Sequence, residues 1–420
     1  MPRCRSALVL PLVFAASCGS REPKVREKTF LTVEPPVKVS DLTHSSIVRA
    51  PGGTLFMTAF LHSTFPSATE PAEAIAVFES KDDGGTWQRI SSIPSFVTYG
   101  VWEYDLVIDA AGRLSMTWVA AVYDAEARRP FKAVMFARSD AAGRTWTEPV
   151  RVSRLTVNQR RNPAMAVSGD AVHMAWLDER EAGRTAHEDV LVASSADRGA
   201  TWSAEVCPET DLDKKPSGSG APALCVGADG ALSCAWFAMR GTGKKVGGYA
   251  LARSADQGKT FATALHDAGP LGEVCLAAGP GGLFLGAVRI TGIKAITPPD
   301  TDHEISLFVS TDGGGRWGQP VRIDDDEGRQ RKASLRLASA GTDRLVACWD
   351  DGRGGVYVAA SIDGGETWGK NVKVAERSQV GLTPLSMAAD PAAGAVYLLV
   401  SDIHKGGGDA TYFVKAKVAP

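Results

Sequence analysis

Ser80-Lys81-Asp82-Asp83-Gly84-Gly85-Thr86-Trp87 is one of six copies of a single pattern, Ser-x-Asp-x-Gly-x-Thr-Trp, and its recurrence decides the fold. The pattern returns intact from Ser195 to Trp202 and from Ser361 to Trp368. Ser254 to Phe261 changes only the last aromatic type, Ser310 to Trp317 has Arg316 where Thr is usual, and Ser139 to Trp146 has Ala141 where Asp is usual. The closing aromatics are Trp87, Trp146, Trp202, Phe261, Trp317 and Trp368, at intervals of 59, 56, 59, 56 and 51 residues. A fixed period of this length is the mark of a repeat architecture. The residue types are those of a tight turn. Ser and Asp side chains bond nearby backbone N–H groups, Gly adopts a backbone angle that other residues resist, and the aromatic pins the turn to the core. Asp82, Asp197, Asp256, Asp312 and Asp363, with the six aromatics, are therefore read as scaffold.

Outward from each turn the layout repeats. An apolar run ends at the serine, as in Ile75 to Phe78, Val190 to Ala193 and Val356 to Ala360. Upstream lie two short strands around a Gly or Asp turn, such as Ala164 to Val167 followed by Val172 to Trp176. One more strand follows the turn, as in Val150-Arg151-Val152. Four antiparallel strands per period make a propeller blade. The expected fold is thus all-β, a β-propeller of four-stranded blades. Six turns suggest six blades, but the chain ends argue for seven. After Val372 to Val374 come three further strands, Leu385 to Ala388, Val396 to Val400 and Tyr412 to Val414, with no fourth. The segment Glu34-Pro35-Pro36-Val37-Lys38-Val39-Ser40-Asp41-Leu42 at the N-terminal end copies the fourth-strand segment Thr147-Glu148-Pro149-Val150-Arg151-Val152-Ser153-Arg154-Leu155. The N-terminal strand should close the last blade and hide its edge.

The repeated turn resembles the Asp box of the sialidase superfamily, where it joins the third and fourth strands of each blade. The extreme N-terminus carries a second resemblance. Arg3 and Arg5 precede an apolar run from Ala7 to Ala16, too short to span a bilayer and typical of a signal peptide. It ends at Ala15-Ala16-Ser17-Cys18-Gly19, which resembles the lipobox of bacterial lipoproteins and implies lipidation of Cys18. The expected organisation is a signal peptide over residues 1–18, a tether over 19–28 and a single propeller domain over 29–420, held in the bacterial cell envelope by a lipid anchor.

Composition narrows the partners. The formal net charge is −2 and charged residues are 22%, so nothing suggests nucleic acid. His62, His173, His187 and His303 are scattered without metal spacing, so no metal and no cofactor is expected. Asp324-Asp325-Asp326-Glu327 lacks the spaced ligands of a calcium loop and reads as a solvated turn. Beyond Cys4 and Cys18 five cysteines remain, an odd number; Cys225 and Cys234 flank a hairpin and could pair.

The superfamily resemblance implies a ligand site at the central pore, with three arginines on a carboxylate, a Tyr nucleophile with a Glu partner, and an Asp acid. The first arginine matches Arg49, in Ile47-Val48-Arg49-Ala50-Pro51 ahead of Gly53-Thr54-Leu55. Counted from the chain end, Glu273 takes the glutamate position and Arg353 the third arginine. The second arginine is missing, Leu382 stands where the tyrosine belongs, and only Glu70 and Glu73 lie near the acid position. These losses argue against sialic acid turnover. Position alone adds Arg161 before the third blade's inner strand, and Trp102 to Asp105 opening the second blade. It also adds Trp176-Leu177-Asp178-Glu179-Arg180 and Trp349-Asp350-Asp351-Gly352-Arg353, whose Asp and Arg residues could instead pair and hold loops. Two functions remain open. One is a glycan-active enzyme with facing carboxylates, Glu273 with Glu103, Asp105 or Asp178. The other is a binding module for a glycan or protein ligand at the pore, lined by Arg49, Arg161 and Arg353. A sialidase with an altered site is the third reading.

Overall fold

The structure is a computed structural model that describes residues 26, 28–61, 72–95, 104–124, 129–139, 142–154, 160–178, 188–209, 218–240, 246–269, 271–293, 301–327, 330–376, 385–402 and 410–420. Seven antiparallel sheets form the seven blades of a propeller. Blade 1 runs from its inner strand Thr43–Arg49 through Leu55–Phe60 and Ala72–Ser80 to the outer strand Gln88–Ser95. The inner strands of the next five blades are Tyr104–Ile108, Arg160–Ser168, Ala223–Val226, Leu271–Gly279 and Lys332–Ser339. That of blade 7 is Leu385–Asp390. Each inner strand touches the next, and the seventh touches the first, so the ring closes around a central channel. In blade 3 the outer strand is reduced to the bridge between Val192 and Val206.

Buried residues run almost without interruption along the middle strands, as in Leu55–Phe60 and Leu345–Asp351, because both faces of every blade meet a neighbouring blade. The core is therefore not one body but seven layers, one at each junction. Val48, Phe56 and Ile75 of blade 1 meet Leu106, Met116 and Trp118 of blade 2. Ile47, Leu55 and Met57 on the opposite face meet Tyr397, Leu399 and Phe413 of blade 7. Trp118, Trp176, Trp236 and Trp349 occupy the same level on the second strands of blades 2, 3, 4 and 6, and all are fully buried.

The Asp boxes lie at the turns between third and fourth strands. In the first, Ser80 Oγ donates to Asp82 Oδ1 (2.8 Å), Gly84 N–H donates to Ser80 Oγ (2.9 Å), and the N–H and hydroxyl of Thr86 donate to the two oxygens of Asp82 (2.8 and 2.7 Å). These donors hold the Asp82 carboxyl down to about 2. The same bonds recur at Asp197, Asp256 and Asp363. Two successive left-handed residues make the turn, Asp83 and Gly84 in the first box (φ 61° and 93°). The glycine has a second reason. A Cβ at Gly84 would lie 2.2 Å from the ring of Phe413 in blade 7. The box aromatics reach the same way, Trp87 to Phe413, Trp202 to Phe136 and Trp317 to Tyr249, with centroids 5.7, 5.1 and 6.0 Å apart. Each of these partners sits on the third strand of the preceding blade. The box is thus a clamp between blades as well as a turn within one.

Blade 7 is closed as the chain ends require. Leu31–Val33 and Val37–Ser40 both pair with the third strand Ala410–Val418, with Leu31 opposite Val418 and Val37 opposite Phe413. The contact extends further upstream than the strand pairing. Arg26, placed in the tether by sequence, donates to the carbonyls of Arg322 (2.6 Å), Ile323 and Gly369 (3.4 Å), and Lys28 accepts from Lys370 N–H (2.8 Å). The N-terminal segment therefore touches blades 5, 6 and 7.

Two sequence expectations are corrected. The acidic run after blade 5 is not a solvated turn. Asp324 and Asp326 are buried, bonded by Arg322 (2.7 Å) and by the buried Lys332 (2.9 Å) respectively. Cys225 and Cys234 do not pair. Cys234 stands opposite Leu224 and Cys225 opposite Ser233, so their side chains leave opposite faces of the sheet, and both are free thiols.

Candidate functional site

Most inner strands are interrupted near the channel end away from the Asp boxes. Register shifts fall between Thr43 and Ser46, Arg161 and Ala164, Leu271 and Glu273, and Ala333 and Arg336. Such bulges re-aim side chains. After them, register places Ser46, Asp105, Ala164, Ala223, Cys275, Arg336 and Met387 at one level of the ring, one from each blade. Two of the seven are charged, and they come from opposite sides of the channel, blades 2 and 6.

Arg336 is the centre of this group. Its Nη1 lies 3.5 Å from Glu273 Oε1 of blade 5, and its side chain is 43% exposed. Its charge also acts on Asp105 and on Tyr104, the neighbouring residue in blade 2. Glu273 takes further bonds from the backbone N–H groups of Leu335 and Ser334. Ser334 is left-handed (φ 55°), and this bulge is what turns two successive N–H groups toward one carboxylate. Asp105 is held from the other neighbour, accepting from Met165 N–H of blade 3 (2.8 Å). Both carboxylates are partly accessible but surrounded by protein. Burial raises the Glu273 carboxyl above its ordinary value against the pull of Arg336 and the two N–H groups. Burial likewise pushes Asp105 up to about 6, against the Met165 bond and Arg336. Burial raises the Tyr104 phenol, and it drives the Cys275 thiol up to about 12, so that thiol is no nucleophile at neutral pH. Two carboxylates that resist ionisation beside one shared cation can exchange protons with a bound molecule.

The other residues singled out by sequence lie elsewhere. Asp178 is on the second strand of blade 3, 1% exposed, and accepts from Trp176 Nε1 (3.2 Å). Its counterpart Asp351 accepts from Trp349 Nε1 (2.8 Å). The Trp-x-Asp pattern is thus an indole clasp, and Asp178 is not part of the channel group. Arg353 is spent on Asp351 (2.9 Å) and Asp325 (3.0 Å), and stacks on Tyr357 at 4.0 Å. Arg49 sits at the far end of its strand, at the Asp-box end, paired with Asp390 at 2.5 Å. Neither arginine meets Glu273, so the arginine-lined pore expected from sequence does not form from this pair. Arg161 belongs to the inner strand of blade 3, opposite Leu177 and level with Glu273; its side chain, like Cys18, Glu70, Glu103 and Leu382, lies outside the described residues. Sequence reading named Glu273 with Glu103, Asp105 or Asp178 as its partner, and did not name Arg336. Its signal was a charge inside the apolar run Leu335-Arg336-Leu337-Ala338.

A model of the BNR repeat-like domain matches residues 38–269. Among solved structures, an alpha-L-arabinofuranosidase of Fusarium graminearum in complex with arabinobiose is 14% identical with a TM-score of 0.53, over 94% of this chain and 98% of that one. A Trypanosoma rangeli sialidase is 14% identical with a TM-score of 0.51, over 88% of this chain and 59% of that one. A protein of unknown function from Dyadobacter fermentans is 12% identical with a TM-score of 0.53, over 92% and 99%. No curated protein sequence matches the chain.

Proposed function

Because the chain belongs to the BNR repeat-like domain family, we propose that its channel binds a neutral glycan and that Asp105 and Glu273 hydrolyse a glycosidic bond there. The observation that carries this is that Asp105 of blade 2 stands at the same channel level as Arg336 of blade 6, whose guanidinium lies 3.5 Å from Glu273 of blade 5. Glycoside hydrolysis needs one carboxyl group as acid and another as base or nucleophile. Asp105, raised to about 6, is the acid, since it still holds its proton in mildly acidic medium. Glu273, fixed by Arg336 and two N–H groups, is the carboxylate partner. Charge selects the sugar. With Asp105 protonated, Arg336 is already paired with Glu273, so among the described residues no guanidinium is left over for a sugar carboxylate, whereas a neutral sugar needs none. The Fusarium structure with arabinobiose makes arabino-oligosaccharides the first substrates to offer.

The test is release of sugar from a panel of neutral aryl glycosides and arabino-oligosaccharides, with a sialoside alongside. Turnover should fall at least 100-fold in Asp105→Asn and Glu273→Gln, about the worth of a general acid or base. The rate of the native protein should drop as pH rises through about 6, because the acid loses its proton, and that limb should vanish in Asp105→Asn. Neutral-sugar binding without any turnover would leave a binding module, and turnover of the sialoside alone would overturn the reading. We place this activity outside the cytoplasm on a lipid anchor at Cys18. Labelling of cells with a tagged fatty acid should mark the native chain and not Cys18→Ser.

A further inference from the structure

The last residue before a box serine is in two blades an arginine. Arg138 crosses to the box of the next blade, donating to the carbonyls of Asp197 (2.7 Å) and Arg198 (2.6 Å). Its counterpart Arg253 in blade 4 does not cross. It turns back to Asp229 of its own blade, and its buried Nε makes no hydrogen bond. The fifth box also differs in composition where it faces Arg253. Gly313 stands where the third and fourth boxes carry Arg198 and Gln257, and a Cβ there would press to 3.3 Å on both Arg253 and Asp229. The same box departs from the pattern again at Arg316. In the four boxes that keep both Asp and Thr, the threonine hydroxyl donates to Oδ2 of the aspartate. Asp312 receives Ser310 Oγ and Arg316 N–H, both on Oδ1, and has no such hydroxyl.

These departures meet at one place. A cavity of about 410 Å³ lies between blades 4 and 5, lined by Asp229, Arg253, Ser233, Thr311, Asp312 and the backbone of Gly279 to Gly282. It opens at the Asp-box end, because the turns between first and second strands share that end with the boxes. Glu273 starts the strand that ends at Gly279, so about 20 Å of strand separates the cavity from the channel group.

We propose that this cavity is a second binding site, for one unit of a neutral saccharide, independent of the channel. Its size is that of a small-molecule site. Its polar groups are mixed: the partly exposed guanidinium of Arg253, the carboxylates of Asp229 and Asp312, and the hydroxyls of Ser233 and Thr311. A sugar hydroxyl donates and accepts at once, so a ring with several of them answers both needs. An anion would meet two carboxylates against one guanidinium, and an apolar ligand would leave the charges desolvated and unpaired.

The experiment uses the full chain carrying Asp105→Asn and Glu273→Gln, which stops channel turnover so that the probes stay intact, with arabinobiose, cellobiose and maltose as probes followed by ligand-observed NMR and calorimetry. At least one should bind. Affinity should then fall about tenfold or more on adding Gly313→Gln, which copies the residue the fourth box already holds at that backbone angle (φ 62° at Gln257). It should fall similarly with Arg316→Thr, which restores the missing hydroxyl, since one charge-assisted bond is at stake. Arg316→Thr returns the box to its pattern, so it cannot act by unfolding the blade. Channel turnover of the otherwise native chain should be unchanged by either substitution. Binding indifferent to both substitutions overturns the second site and leaves the channel assignment standing, whereas no binding of any probe overturns both.

Discussion

His173 illustrates what one residue contributes in a fold whose core is all interface. It lies on the second strand of blade 3, 3% exposed, with Nδ1 2.8 Å from Ser194 Oγ. Burial lowers its pKa from 6.5 to about 4, so it stays neutral when folded. The sign follows directly. The unfolded chain takes up a proton below pH 6.5 that the folded chain refuses until about 4. Stability is therefore intact above 6.5 and is lost progressively as pH falls to 4. The loss amounts to at most about 3 kcal/mol. Denaturant unfolding at pH 7 and pH 4.5 should show it, and His173→Gln should flatten that part of the profile. Sequence had no means of seeing this, since the partner serine is 21 positions away on another strand. The indole clasps at Asp178 and Asp351 were closer to legible. The Trp-x-Asp spacing was on the page, but whether an aspartate serves an indole or a substrate depends on which strand of the blade carries it.

At the scale of the element, the Asp box was readable almost completely. Its eight residues contain every donor and acceptor of the turn, so local chemistry predicts local structure. Its reach to the preceding blade was not readable, because Phe413 and Trp87 are brought together only by ring closure. Gly84→Ala tests the two roles at once. The substitution adds a Cβ at φ 93°, within 2.2 Å of the Phe413 ring. It should cost about 1–3 kcal/mol, the usual penalty for a strained backbone angle or an overfilled contact. A half-buried box glycine, Gly364, has nothing within 4 Å of its Cβ position. Thermal unfolding should show Gly364→Ala to be the milder of the two. Equal effects would mean that backbone strain alone governs the turn.

For the whole molecule, the decisive contact is the return of the N-terminus. Leu31–Val33 and Val37–Ser40 cover the edge of Ala410–Val418, and Arg26 ties three carbonyls of blades 5 and 6. A chain beginning at residue 41 would expose that nine-residue strand as a bare edge, a template for pairing with another chain. Size-exclusion chromatography should show it as dimers and larger species, while a chain beginning at residue 26 should remain monodisperse with native stability. A monodisperse, fully stable chain from residue 41 would mean that the seven inter-blade layers hold the ring without its clasp.

The repeat, the four-stranded blade, the count of seven and the closing strand were determined by sequence alone. Each rests on a periodic pattern or on residues within one short turn. The site was decided by tertiary structure. Asp105, Glu273 and Arg336 lie up to 231 positions apart in sequence and face one channel because ring closure sets blade 2 across it from blades 5 and 6. Arg49 and Arg353, chosen by motif, were drawn instead into ion pairs with Asp390 and Asp351. A motif specifies which residue stands at a position, but the direction of its side chain and the charge that meets it there are set by strand register and by the neighbouring blade.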